Sequence, residues 1–475
     1  MKTQITILLL VLSNLPLSSV LSADATDNAK PPNIILILAD DFGWDISALG
    51  QTAYQTPEMD KLIKGGMQFS DFHSNGACCT PTRAALLTGK YQQRTGMVRP
   101  MNAEFHGHAG MPPEEVTLAE ILRRVNYKTA LFGKWHLGEV GDRHPLGQGF
   151  DEFKGFLAGN IDHHSHVNRV PNRDWWDGRT LKDQKGYSTD LITDNTLAFI
   201  DEHHDKPFFI FMAHAATHGP FQDRESPVQR PIGLGKRIEE DHSRKTQEER
   251  INRIYPNMVR AIDEGVGKLV ETLEKHSISD NTIIFFMSDN GPVLKGRRGR
   301  TGKLVGNKGN IEEGGHRVPA FVYWPGHIKA GSISSSTLMG MDLMPTFAKL
   351  AGADISELEN IDGVDASQVF LNNRPIAERD LFWSHHHMLA IRNKEWKLLR
   401  NTNRELKLHR LDEFGVGETR DLSKEYPEEM ASMKKRLFAW DARIQEISKS
   451  SQVTAGMDKK IPVKSEWADR PAPGK

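Results

Sequence analysis

The sequence predicts an α/β fold: a large mixed, mostly parallel sheet sandwiched by helices, with a smaller C-terminal α+β subdomain carrying a short antiparallel sheet. Three observations carry this reading. Unbroken apolar runs of strand length recur along the chain, amphipathic helical patterns lie between them, and after about Leu371 short, half-buried stretches replace both. Alternation of buried strands with helices is the pattern of a layered, mostly parallel sheet.

Ile34 to Leu38 is continuously aliphatic, as a strand covered on both faces must be. Thr117 and Glu120 form a capping-box pattern ahead of Leu118, Ile121, Leu122 and Val125, so a helix starts there. Lys128 to Phe132, Phe208 to Met212 and Thr282 to Met287 read as further strands. Before the last of these, Met258, Ile262, Val266, Leu269 and Leu273 recur every three or four residues, which marks one face of a helix. In the C-terminal part, Ile391, Trp396, Leu398 and Leu399 lie among polar residues, as in short half-buried strands.

The N-terminus carries a separate message. Lys2 precedes an apolar run from Ile5 to Leu17 and then small residues up to Ala23, the pattern of a secretory signal cut near Ser22 to Ala25. A membrane-spanning helix needs about 20 apolar residues, and Asn14 and Pro16 interrupt this run. The expectation is export to the periplasm or the extracellular space without stable membrane insertion. Residues 1–23 are then the signal, 32–372 the main domain, 373–450 the subdomain and 451–475 a mobile tail with Pro462, Pro471 and Pro473. A formal net charge of −1 gives no global field toward nucleic acid or an anionic membrane. The only two cysteines, Cys78 and Cys79, are adjacent. Neighbouring cysteines close only a strained ring, so they make a poor staple, and at least one is expected to serve chemistry.

Polar groups collect where the strands end. The 34–38 strand runs into Asp40-Asp41, and the 128–132 strand into Gly133-Lys134-Trp135-His136. The 208–212 strand is followed by His214 and His218, and the 282–287 strand by Ser288-Asp289-Asn290-Gly291. Asp, Asn and Gly end many strands simply as turn residues. Four strands delivering such groups to the edge where open α/β sheets bind ligands describe one shared site. Asp40, Asp41, Asp289 and Asn290 offer oxygen ligands, the set a hard cation such as calcium or magnesium prefers over zinc. Three carboxylates at close range also need a cation to offset their repulsion. The residues alone do not separate calcium from magnesium.

The segment Cys79-Thr80-Pro81-Thr82-Arg83, followed by Ala84-Ala85-Leu86-Leu87-Thr88-Gly89, resembles the Cys-x-Pro-x-Arg signature of the formylglycine-dependent (type I) sulfatases, members of the alkaline phosphatase superfamily. Asn33 to Asp41, Gly133 to Gly138, Ser288 to Gly291 and Glu313-Gly314-Gly315-His316-Arg317-Val318-Pro319 resemble that family's other landmarks in the usual order. The likeness spans roughly residues 32–400, with Met341 to Thr346 and Asp362 to Asp365 leaning toward arylsulfatase and N-acetylgalactosamine-6-sulfatase types.

The resemblance implies an alkaline-phosphatase-like catalytic domain over 32–372 and hydrolysis of a sulfate ester, on a sulfated carbohydrate or an aryl sulfate. It implies that a maturase converts Cys79 to formylglycine (3-oxoalanine), with Cys78 a bystander. One hydroxyl of the hydrated aldehyde attacks sulfur and the other later expels sulfate, which a thiol cannot do. Asp40, Asp41, Asp289 and Asn290, with position 79, would hold one Ca2+ or, alternatively, Mg2+. Arg83 would orient position 79 through its planar donor fork. Lys134 and Lys308 would bind sulfate oxygens, and His136 would support the hydrated aldehyde. His218 would protonate the leaving alcohol, although Thr217 stands where the family often has proline; His214 is the competitor.

Other segments carry less. Lys295 to Lys303 is basic and glycine-rich, but Leu304 replaces the Ser or Thr of a phosphate-binding loop, leaving a solvated loop or one that meets an anionic sugar chain. His163-His164-Ser165-His166 and His385-His386-His387 read as surface or substrate-cleft loops, since nothing completes a zinc site. Asp162 and His163 are candidate substrate contacts. Two rival functions fit the same fold: a phosphodiesterase, phosphatase or phosphonate monoester hydrolase, and a sulfatase-like protein that binds anionic glycan without turnover. Only four metal-type ligands are visible, which suits one cation and not a two-metal clamp.

Overall fold

The computed structural model describes residues 30–233, 244–293, 303–411 and 417–463, with side chains for all but 244–251. The secretory-type segment and most of the basic stretch 295–303 lie outside the described residues. Among the described residues no helix is long and apolar enough to cross a membrane.

One sheet of ten strands organises the chain. Its middle is five parallel strands in the spatial order Thr282–Ser288, Asn33–Ala39, Phe208–Ala213, Lys128–Lys134 and Glu152–Phe156. Ala320–Tyr323 runs antiparallel beside Thr282–Ser288, which makes the sheet mixed. Asn33–Ala39 explains its own composition. Ile34, Leu36 and Leu38 enter one core and Ile35, Ile37 and Ala39 the other, so both faces are covered and no polar residue fits. The helix Arg244–Lys275 covers the second face with Met258, Ile262, Val266, Leu269 and Leu273. The capping box at Thr117 forms as its sequence predicts: its Oγ1 accepts from the Glu120 amide at 3.2 Å, and Glu120 Oε2 accepts from the Thr117 amide at 2.7 Å.

The register aligns the carboxyl ends of the central strands. Ala39 pairs with Ser288, Leu38 with Ala213, and Gly133 with Ala213. The residues that follow these positions therefore emerge at one level, and this places the site.

A second sheet of four antiparallel strands, Leu381–His385, Met388–Arg392, Trp396–Arg400 and Leu406–Arg410, follows in the chain. The helix Pro427–Ala455 covers it, Met433, Leu437, Trp440 and Ile444 meeting Trp383, Ile391, Leu398 and Leu408 in a third core. This helix corrects the reading of 451–475 as a loose tail for its first part. Ala455 and Met457 are buried, and the amides of Ile461 and Val463 donate to the carbonyls of Phe105 and Glu104. The apolar side chains hidden in a mostly polar stretch were enough to dock it.

The Glu313–Arg317 landmark is bound to the second sheet by buried charges. Lys397 Nζ lies 2.8 Å from both Glu313 Oε1 and Glu418 Oε1, and Arg392 bridges Glu313 Oε2 at 2.7 Å and Asp71 at 3.0 Å. His73, Glu313 and His316 have ligand atoms within 4.8 Å of one another, but these two cations already occupy that neighbourhood. Removing one member leaves a carboxylate unpaired in a dry interior. Lys397→Met is expected to destabilise the protein by about 3–5 kcal/mol in urea unfolding. A loss below about 1 kcal/mol would mean that Arg392 alone satisfies Glu313.

Candidate active site

Asp40 and Asp41 leave the 33–39 strand through a turn in which Asp41 has φ +59°, a left-handed conformation that Asp tolerates. Asp289 and Asn290 leave the neighbouring strand at the same level. The Asp41 amide donates to Asp289 Oδ1 at 3.2 Å, and Asn290 Nδ2 donates to Asp41 Oδ1 at 2.7 Å. Lys134, the last residue of its strand, places Nζ 2.5 Å from Asp40 Oδ2, while Lys308 Nζ lies 2.6 Å from Asp41 Oδ1. Burial opposes ionisation of Asp40, but Lys134 first, then His218 and Arg83, hold its carboxyl far below the usual carboxylate range. Asp289 goes the other way: burial and the neighbouring Asp40 push it up to about 7.

Cys79 opens the helix Cys79–Thr88, with Cys78 as its N-cap in extended conformation. Both thiols are free and buried. Burial raises the Cys79 pKa against the pull of Lys134 and Lys308. This thiol is kept protonated and is a poor nucleophile as it stands. Arg83, one helical turn on, is wholly buried. Its Nη2 and Nε donate to Asp289 Oδ2 at 3.0 and 3.3 Å and its Nη1 to the Lys134 carbonyl at 2.9 Å. The fork is thus committed to Asp289 and the main chain, and any effect on position 79 is exerted through them.

His136, expected to support the hydrated aldehyde, has both ring nitrogens engaged. Its Nε2 lies 2.9 Å from the Met101 carbonyl and must donate, so Nδ1 accepts from Thr80 Oγ1 at 3.1 Å. With both nitrogens used and burial lowering its pKa, the ring fixes Thr80, the residue next to Cys79. His218 is mostly buried, its side chain 20% exposed. Its Nδ1 lies 2.6 Å from the Gly219 carbonyl and donates to it, which leaves Nε2 toward the site, 3.6 Å from Asp41 Oδ2.

Asp162 and His163 do not line the site. Asp162 is buried and accepts from the amides of His164, Ser165, Gln229 and Arg230 and from Gln222 Nε2, so its carboxylate is saturated by the loop it folds. His163 is 1% exposed, engages Ser188 Oγ at 2.7 Å and reaches the His218 carbonyl at 3.4 Å, which supports the chain at His218 from behind. His214 is buried with neither ring nitrogen hydrogen-bonded among the described residues, and burial lowers its pKa to about 4. Sequence reasoning missed the support under His218 altogether. Thr217 Oγ1 lies 3.1 Å from Tyr255 Oη, which donates to Asp45 Oδ2 at 2.9 Å. No motif marks these three residues, which come from separate segments.

A cation fits the donor set. Asp40 Oδ1, Asp41 Oδ2 and Asn290 Oδ1 are buried oxygens that find no hydrogen-bond donor among the described residues. Asp40, Asp41 and His218 present ligand atoms within 4.8 Å of one another. Leaving three such oxygens unsatisfied is costly unless something positive meets them.

A sulfatase family profile matches residues 32–353. N-acetylgalactosamine-6-sulfatase of Rattus norvegicus is 36% identical over 396 residues, covering 78% of this chain and 71% of the relative. Arylsulfatase A of Homo sapiens is 32% identical over 387 residues, covering 75% and 71%. Among solved structures, that of Ps i-CgsB matches with a TM-score of 0.79 and 31% identity, over 90% of this chain and 98% of that one, and it is also solved in complex with k-i-k-neocarrahexaose. With an alkaline-phosphatase-like sheet, a sulfatase profile over most of its length and sulfatase relatives throughout, this chain belongs to the sulfatase family of sulfuric ester hydrolases.

Proposed function

We propose that this protein, after export, releases sulfate from a sulfated carbohydrate of galactose configuration, using formylglycine made from Cys79 by a maturase. The observation that carries the reading is the pairing of Lys134 with Asp40 and of Lys308 with Asp41, both lysines acting on the Cys79 thiol, beside three buried oxygens that find no donor among the described residues. The sugar is taken from the relatives, one named for N-acetylgalactosamine 6-sulfate and one solved with a neocarrahexaose.

Asp40, Asp41, Asp289 and Asn290, together with position 79, would hold one calcium ion, with magnesium as the alternative. When bound, it supplies Lewis-acid charge that acidifies a hydroxyl at position 79 and offsets the sulfate charge. The hydrated formylglycine offers two hydroxyls, one to attack sulfur and one to expel sulfate. Lys134 and Lys308 bind the sulfate oxygens, whose charge grows at the bridging atom as the ester bond breaks. His218 delivers the proton there from Nε2, since Nδ1 is held by the Gly219 carbonyl. Arg83 keeps Asp289 and the Lys134 backbone in register, and His136 holds Thr80.

The test is mass spectrometry of residues 71–90 together with sulfate release from N-acetylgalactosamine 6-sulfate, a neocarrahexaose and an aryl sulfate. Aldehyde at position 79 with sulfate released from a saccharide supports the reading. Aldehyde with no release from any of the three sinks it in favour of binding without turnover. Cation removal has its own signature: at 100 times its dissociation constant, calcium is expected to stabilise the protein by about 2.7 kcal/mol. Chelation should then lower the melting temperature by roughly 2–4 °C and stop sulfate release, and restoration by magnesium but not calcium would reverse the metal assignment.

A further inference from the structure

The second sheet is more than a buttress. Its first two strands, Leu381–His385 and Met388–Arg392, are joined by a two-residue turn in which His386 has φ +53°. His385 closes the first strand, half-buried, with Nδ1 4.0 Å from Cys78 Sγ. A side chain built on Gly309 would meet nothing within 4 Å except His385 Nε2, at 4.0 Å. The Gly309 amide in turn donates to the Ala77 carbonyl at 2.7 Å, so the segments bearing Cys79 and Lys308 lie side by side under this imidazole. We infer that His385, held against Cys78 and Gly309, the immediate neighbours of Cys79 and Lys308, contacts the sugar that carries the sulfate and so sets substrate preference.

The chemistry of the ring fits a sugar and not a sulfate. Burial first, then the neighbouring His386, lowers its pKa to about 4, so it is neutral at pH 7. A neutral imidazole carries one donor and one acceptor nitrogen, and either suits a sugar hydroxyl. The anionic part of the substrate has Lys134 and Lys308. His386 stands edge-on to His385 at 4.4 Å and is exposed, which sets a second ring beside it. A metal-binding role is disfavoured because no carboxylate joins these rings in the metal-spaced groups found among the described residues.

The inference rests on the sulfated-carbohydrate reading, and its test separates the two. His385→Ala and His385→Gln are compared with the unaltered enzyme on a neocarrahexaose, on N-acetylgalactosamine 6-sulfate and on a small aryl sulfate. His385→Ala is expected to lower kcat/KM on the better saccharide about tenfold, mainly through KM, as loss of one neutral hydrogen bond does. The aryl sulfate should change less than about twofold, and His385→Gln, which keeps a donor, should recover part of the loss. A second arm measures calorimetric binding of both saccharides to Cys79→Ala protein with and without His385→Ala. A tenfold weaker affinity supports the inference even if no sulfate is released by the unaltered enzyme, an outcome that would sink only the parent reading. Equal losses on saccharide and aryl sulfate, no loss on either, or no saccharide binding in the second arm would overturn it.

Discussion

Cys79→Ala is expected to abolish turnover, lowering sulfate release by about 10^4-fold or more, as removal of a covalent nucleophile does in other hydrolases. The fold should survive. Cys79 is the first residue of its helix, alanine is a better helix former, and no hydrogen bond depends on its thiol among the described residues. Cys79→Ser sharpens the test. A serine hydroxyl beside Lys134 and Lys308 can accept the sulfuryl group, but it has no second hydroxyl with which to expel it. The expected result is one stoichiometric gain of a sulfuryl group on the peptide spanning 71–90, followed by arrest. Steady turnover by either variant would remove position 79 from the mechanism.

The parts of this site that were legible in the sequence are those tied to strand ends. Asp40, Lys134, His218 and Asp289 follow apolar runs closely enough that the runs themselves announce where the groups emerge, and parallel strands align those ends. Groups whose partners come from distant segments were not legible. Asp162 and His163 look like polar loop residues available to a ligand, yet one folds its own loop and the other braces the chain at His218. Nothing in a sequence says that a carboxylate has found five donors. His136 shows the same limit: its position was foreseen, but its two partners, Thr80 and Met101, decide that it supports a neighbour. The docked stretch after Ser451 depends on Ala455 and Met457 finding a buried place, which their polar surroundings concealed. His385 lay in a tract read as a surface or cleft loop, and only the packing of the second sheet distinguishes it from His386 and His387.

His218→Ala should be nearly as damaging as loss of Cys79 for sugar sulfates, and far less so for aryl sulfates. The reason is the leaving group. A sugar alkoxide is a strong base and departs only if protonated as the bond to sulfur breaks, so a positioned acid is worth about 10^2–10^4-fold. A nitrophenolate is stable as an anion and needs little help. The geometry suits such an acid: Nδ1–H is held by the Gly219 carbonyl at 2.6 Å, so Nε2 is bare in the neutral ring and is where the imidazolium takes up and gives back its proton. Burial, then Lys308, lowers the pKa of this ring, which makes its protonated form a stronger donor. The variant is therefore expected to lose about 10^3-fold in kcat on N-acetylgalactosamine 6-sulfate or a neocarrahexaose. On 4-nitrophenyl sulfate the loss should stay below about tenfold. The same panel judges His214, whose ring is buried with no hydrogen-bond partner among the described residues; His214→Ala should show no dependence on the leaving group. If the two substrates fell equally in His218→Ala, the residue would be binding sulfate instead of protonating the alcohol. If His214→Ala alone produced the split, the acid would have to be reassigned to it.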